Sequence, residues 1–96
     1  MTEDKARDLI INAHAEFVSK YSGKYEMDDL AYFIAIRYFE AMDLRLFNEE
    51  IFDENDTLVA TDAKATYDMD EFKINFKVIN PLHYVITKLN VKGISK

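Results

Sequence analysis

The 96-residue chain has no cysteine, one proline and two glycines, and each scarcity removes a class of chemistry. Without cysteine there is no disulfide framework, no thiolate nucleophile and no cysteine-ligated zinc. With only Gly23 and Gly93, a glycine-rich phosphate loop cannot form. The few serines lie outside any GxSxG or related nucleophile signature. Long apolar runs are missing too: LAYFIAI stops at Arg37, well short of the roughly 20 residues that span a bilayer. The N-terminal MTEDKARDLI puts acids where a signal peptide has its basic region. The expectation is a cytoplasmic (host intracellular) protein with no membrane role, in which the sequon Asn55-Asp56-Thr57 is chance.

Charge of one sign is absent from one end. Residues 1–71 contain all eighteen acids against seven bases, a balance of −11, whereas residues 72–96 contain five lysines and no acid, and the net is −6. Such asymmetry speaks of partners rather than of fold. What the chain does have is apolar mass. Hydrophobic residues make up 49% and include seven Phe and six Tyr. That is enough for one core and one domain over residues 1–96.

The periodicity predicts two N-terminal helices. In the first, capped by Thr2 and closed near Gly23, Ala6, Ile10, Ala13, Phe17 and Tyr21 fall on one face, with Ile11 and Val18 at its shoulder. The second is expected over DDLAYFIAIRYFEAMDLRLF from Asp28 or Asp29, with Leu30, Ile34, Tyr38, Ala41 and Met42 as its stripe. Tyr32, Phe33 and Ile36 interrupt its other side, so that helix should be covered on more than one flank. Asn48 could cap a short third helical turn through EEIF, and DENDT reads as a loop. From Leu58 the period moves towards two, with Ala-rich TDAKAT open to either strand or helix. Phe72, Ile74, Phe76 and Val78 then alternate with polar residues, and a third run, HYVITKLNVKGI, follows the Asn80-Pro81 turn. The expected fold is α+β: two helices, with or without the short third, on one face of a three-stranded antiparallel meander. The helical half covers residues 2–52 and the sheet half 57–94.

NEEIFDEND, residues 48–56, places five acids in nine positions. An EF-hand loop starting at Asp53 needs Gly at position 58 and Glu at 64, where the chain has Leu58 and Lys64. Starting at Asp56, the sixth residue is Thr61. The calcium reading fails, and no cofactor or metal is expected. His14 lies within the apolar face of the first helix, where a hydrogen-bonded core histidine is the plain reading; His83 sits beside a turn.

Three functional readings follow. The favoured one is a small acidic, non-enzymatic protein that binds a basic protein surface. Its form would be an inhibitor of the nucleic-acid-mimic or immunity type, phage- or mobile-element-encoded, and its partner a nucleic-acid-processing enzyme or a toxin. The contact residues would be Asp29, Tyr32, Phe33, Ile36, Glu40 and Asp43 on the second helix, then Glu49, Glu50, Phe52, Asp53, Glu54 and Asp56 after it. Charge speeds such an encounter and buried aromatics supply affinity. The alternative is nucleic-acid binding through a sheet face carrying Lys73, Lys77, Tyr84, Lys88 and Lys92. The third is self-assembly, with a homodimer as its simplest form.

Overall fold

The Thr2 hydroxyl accepts the Lys5 N–H at 3.2 Å and starts helix α1, Glu3–Tyr21, with Glu3 and Asp4 in the first turn where the helix dipole favours acids. Ala6, Ile10, Ala13 and Phe17 are buried as their spacing requires, while Tyr21 and Val18 stay exposed at the helix end. The computed structural model describes residues 2–80, 86 and 88–94.

Helix α2 is Met27–Glu40, shorter than the sequence suggests. Its end is a complete Schellman closure. The Leu44 N–H donates to the Phe39 carbonyl at 2.9 Å and the Asp43 N–H to the Glu40 carbonyl at 3.0 Å. Asp43 takes the left-handed conformation, at φ 60°, that glycine usually supplies. Phe39 and Leu44, both buried, make the hydrophobic contact that goes with this motif.

The rest is a five-stranded antiparallel meander in the order β1-β2-β3-β4-β5, comprising β1 Arg45–Phe47, β2 Glu50–Phe52, β3 Leu58–Asp68, β4 Glu71–Val78 and β5 Leu89–Val91. The expected α+β class holds, and the expected count of three strands is corrected to five among the described residues. LRLF leaves the helix to form β1. EEIF is a strand rather than a third helical turn, because Asn48 and Glu49, at φ 50° and 64°, form the two-residue turn of a hairpin that pairs Phe47 with Glu50. Both strands belong to the sheet, although the sequence places them in the helical half. TDAKAT is strand. A bulge between Thr61 and Lys64, with Asp62 at φ 56°, shifts its alternation, so Val59 and Ala60 are both buried before Ala63 and Tyr67 resume the inner face. Of the third run, residues 81–85 and 87 lie outside the described residues, as therefore do Pro81, His83, Tyr84 and Val85.

Both helices cover one face of the sheet, α2 against β3 and β1, and α1 against α2 and β5. Ala31 and Ala35, wholly buried on α2, leave room for close packing. Phe39, Phe72, Ile10, Leu30, Ile34, Ile51, Ile74, Val59 and Val91 are the fully buried centre. Each such side chain contributes about 1.5–3 kcal/mol by leaving water. His14 is half-buried, 5.4 Å edge-on to Tyr67, with the Tyr67 hydroxyl 3.4 Å from its Nδ1.

Candidate functional site

Three of the five acids of residues 48–56 are engaged by other groups of the chain. Asp53 is 8% exposed, and its Oδ1 accepts the Asn55 N–H at 2.8 Å and the Thr57 N–H at 2.9 Å. It organises the β2–β3 loop, so the expectation of Asp53 as a surface contact is corrected. Asp56 pairs with Arg45 at 3.1 Å, and that guanidinium stacks 4.6 Å above the Phe52 ring, its cross-strand partner. Glu49 pairs with Lys64 at 3.3 Å. Among the described residues, no group of three or more His, Asp or Glu side chains converges so as to hold a metal ion. The loop is an ordinary one held by its own acids, with Glu54 left pointing to solvent.

On α2, Asp29, Tyr32, Phe33, Ile36 and Glu40 share one helix face, by spacing of three and four. Tyr32, Phe33 and Ile36 are half-buried, packed against the core edge yet reaching the surface. Phe33 meets Phe17 of α1 at 5.2 Å between ring centroids, and the Arg37 guanidinium lies 4.9 Å from the Phe33 ring centroid. Arg37 also bridges the helices, 2.9 Å from Glu16 and 2.8 Å from Glu40. That double partnership raises its pKa and holds the Glu16 carboxyl below its usual range. Glu40 is therefore held in an ion pair, and the three groups together keep one negative charge. The free negative charge sits at the other end of α2, where Glu26, Asp28 and Asp29 are exposed and have no ion-pair partner among the described residues.

The twelve residues read from the sequence thus divide. Phe52 and Glu50 lie on the sheet face turned away from the helices, since Ile51 between them is the buried one. Asp43 sits in the turn that ends α2. Only the α2 set forms a surface together. Beside it, Tyr32 and Asp28 join Glu49, Ala63, Lys64 and Ala65 around an open groove of about 270 Å³ between α2 and β3. A second open groove, of about 390 Å³, runs between the helices past Leu9, Ala13 and Arg37. The β3 wall of the first groove has no signature in sequence; it exists because β2 is only three residues long against the eleven of β3.

The alternative surface is also placed. Lys73, Asn75 and Lys77 project from the outer face of β4, with Asn90 opposite Lys73 and with Lys88 and Lys92 exposed; Tyr84 lies outside the described residues. Glu71 takes up part of this charge, at 3.1 Å from Lys73 and 3.6 Å from Lys92. Among the described residues, no helix is long and apolar enough to cross a membrane.

No known family model, curated protein or solved structure matches this chain.

Proposed function

We propose that this chain is a small acidic, non-enzymatic interaction protein of the cytoplasm that binds a basic protein surface as an inhibitor, of the nucleic-acid-mimic or immunity type. The reading rests on one observation. The N-terminal half of α2 presents unpaired Asp28 and Asp29 next to half-buried Tyr32, with Phe33 and Ile36 on the same helix. Carboxylates steer a cationic partner, and aromatic side chains already held by the core lose little entropy when covered. The partner class that fits is a nucleic-acid-processing enzyme or a basic toxin.

The test is capture of a partner from the lysate of the encoding organism, compared between wild type and an Asp28→Asn, Asp29→Asn, Tyr32→Ala variant. The wild type should recover a protein that nuclease does not remove and that high salt releases. The variant should bind it at least roughly tenfold more weakly, as expected when one anchoring aromatic and its charges are lost. Equal binding by the variant would end the α2 reading. Recovery that vanishes with nuclease would move the site to the lysine face of β4 and the lysines flanking β5.

A further inference from the structure

Strand β3 runs from Leu58 to Asp68, but β2 pairs with it only at Leu58 and Ala60, and the last bond on that side is from the Ala63 N–H to the Glu49 carbonyl at 3.0 Å. From Lys64 to Asp68 every strand pairing goes to β4, so among the described residues the other edge is open. Backbone groups along an antiparallel strand point alternately to its two sides. Because Ala63 donates towards β2, the N–H and C=O groups of Ala65 and Tyr67 point to the open edge. No hydrogen bond among the described residues uses them. Natural sheets rarely leave such an edge without a guard. The one lysine here, Lys64, is drawn to Glu49.

The open edge forms one wall of the groove beside α2, so a strand added there would insert alternate side chains between Ala65 and Tyr32, towards Asp28. Its other side chains would lie beside Thr66 and Asp68 on the outer sheet face, where Asp62 and Asp68 are exposed acids with no ion-pair partner among the described residues. Among the described residues, Lys64 is the one cation lining the groove, and it is already paired. A second copy of this chain, with net charge −6, is a poorer occupant than a cationic segment. We infer that residues 64–68 of β3 are a strand-addition edge that takes an extended basic segment of a partner protein as a sixth strand, with a lysine or arginine in the groove at Asp28 and Tyr32. Main-chain bonds to Ala65 and Tyr67 would supply affinity and the acidic groove specificity. The inference rests on the acidic-interface reading and names the mode of binding.

The test uses the full chain and a capped synthetic peptide of about ten residues alternating lysine with threonine, the length of an ordinary strand, with glutamate replacing lysine in a control. In the free protein the Ala65 and Tyr67 amides should exchange fast, and those of Lys64, Thr66 and Asp68 slowly. The lysine peptide should slow exchange at Ala65 and Tyr67 by at least roughly tenfold, and the glutamate peptide should not. Ala65→Pro removes an edge-facing N–H without breaking a bond to β4, and should abolish the effect; if that variant fails to fold, the wild-type exchange result decides alone. Three results would overturn the inference. One is shifts confined to Phe33, Ile36 and Glu40, which leaves the α2 reading standing. A second is absence of any binding by the lysine peptide, in which case the lysate capture decides the α2 reading separately. The third is concentration-dependent protection of Ala65 and Tyr67 in the free protein, which gives the edge to a second copy.

Discussion

Two glycines cannot supply the turns of a seven-element chain, and the consequence is visible residue by residue. Ser22, Asp43, Asn48, Glu49, Asp56, Asp62 and Met69 all have positive φ. Asn and Asp tolerate that region through local hydrogen bonding, but Glu49 and Met69 do not have that compensation. Glu49 is the informative case, because it sits second in the Asn48-Glu49 turn, where glycine is the best residue. Glu49→Gly should raise stability by about 1 kcal/mol through relief of that conformation, less the small loss of an exposed ion pair to Lys64. Denaturant midpoints of the two proteins check this, and a less stable variant would show that the Lys64 pair outweighs the strain. Asp53 behaves in the opposite sense. Asp53→Ala removes the acceptor for two backbone N–H groups in the β2–β3 loop and should cost about 1–3 kcal/mol. The same denaturant measurement reads it, and a change near zero would mean the loop is held by the Asp53 and Thr57 backbone bond instead.

At the scale of elements, legibility followed length. Helix α1 is legible in sequence, with its cap, its acidic first turn and a stripe whose last member, Tyr21, alone stays exposed. Strand β4 is equally plain, since Phe72, Ile74 and Phe76 are buried and Lys73, Asn75 and Lys77 are not. β1 and β2 were not legible because three residues cannot establish a period of two. The stop of α2 was hidden for a different reason. Asp43 does the work of a terminal glycine, and Leu44 and Leu46 continue an apolar pattern that a helix could also use. The half of β3 that the alanines left ambiguous became strand through pairing with β4, which places Ala65 opposite Ile74 and Tyr67 opposite Phe72. On α2, the interruption of the apolar stripe by Tyr32, Phe33 and Ile36 was visible in sequence, and the structure places all three half-buried. Composition could not tell which acids were already engaged. Asp56 and Glu49 find their cations on other strands, Arg45 and Lys64, at positions no local pattern reports; Glu40 pairs with Arg37 on its own helix and Asp53 holds N–H groups of its own loop.

Across the whole molecule, part of the charge asymmetry of the sequence becomes a difference between faces, although Glu50 and Asp68 share the outer sheet face with the lysines. Lys73 and Lys77 of β4 project from the sheet away from the helices, with Lys92 meeting Lys73 at Glu71, and the unpaired acids of α2 lie on the helical side. Ionisable groups also bound the pH range over which both faces are held in place. Glu16, hydrogen-bonded to Arg37, has a carboxyl pKa below the ordinary 4.5, so its contribution is present above that value and lost as pH falls through its lowered one. Glu16 is exposed, and the effect at this end is small. At the alkaline end, two tyrosines are expected to set the limit. Tyr38 is raised above 10.0 by burial, and Tyr67 by burial and then by the charge of Asp70. Both stay neutral in the fold at a pH where the unfolded chain already ionises them. Their contribution is therefore whole below about pH 10 and is lost as pH rises through the raised folded values. Denaturant midpoints should be level between about pH 6 and about pH 9 and fall above about pH 10. Tyr38 lies on α2 against the core, where replacing it with Phe keeps the ring and removes the titrating group. In Tyr38→Phe the alkaline fall should become shallower while the neutral-pH midpoint changes little. If the fall is as steep in the variant as in the wild type, the alkaline limit belongs to groups other than this buried tyrosine.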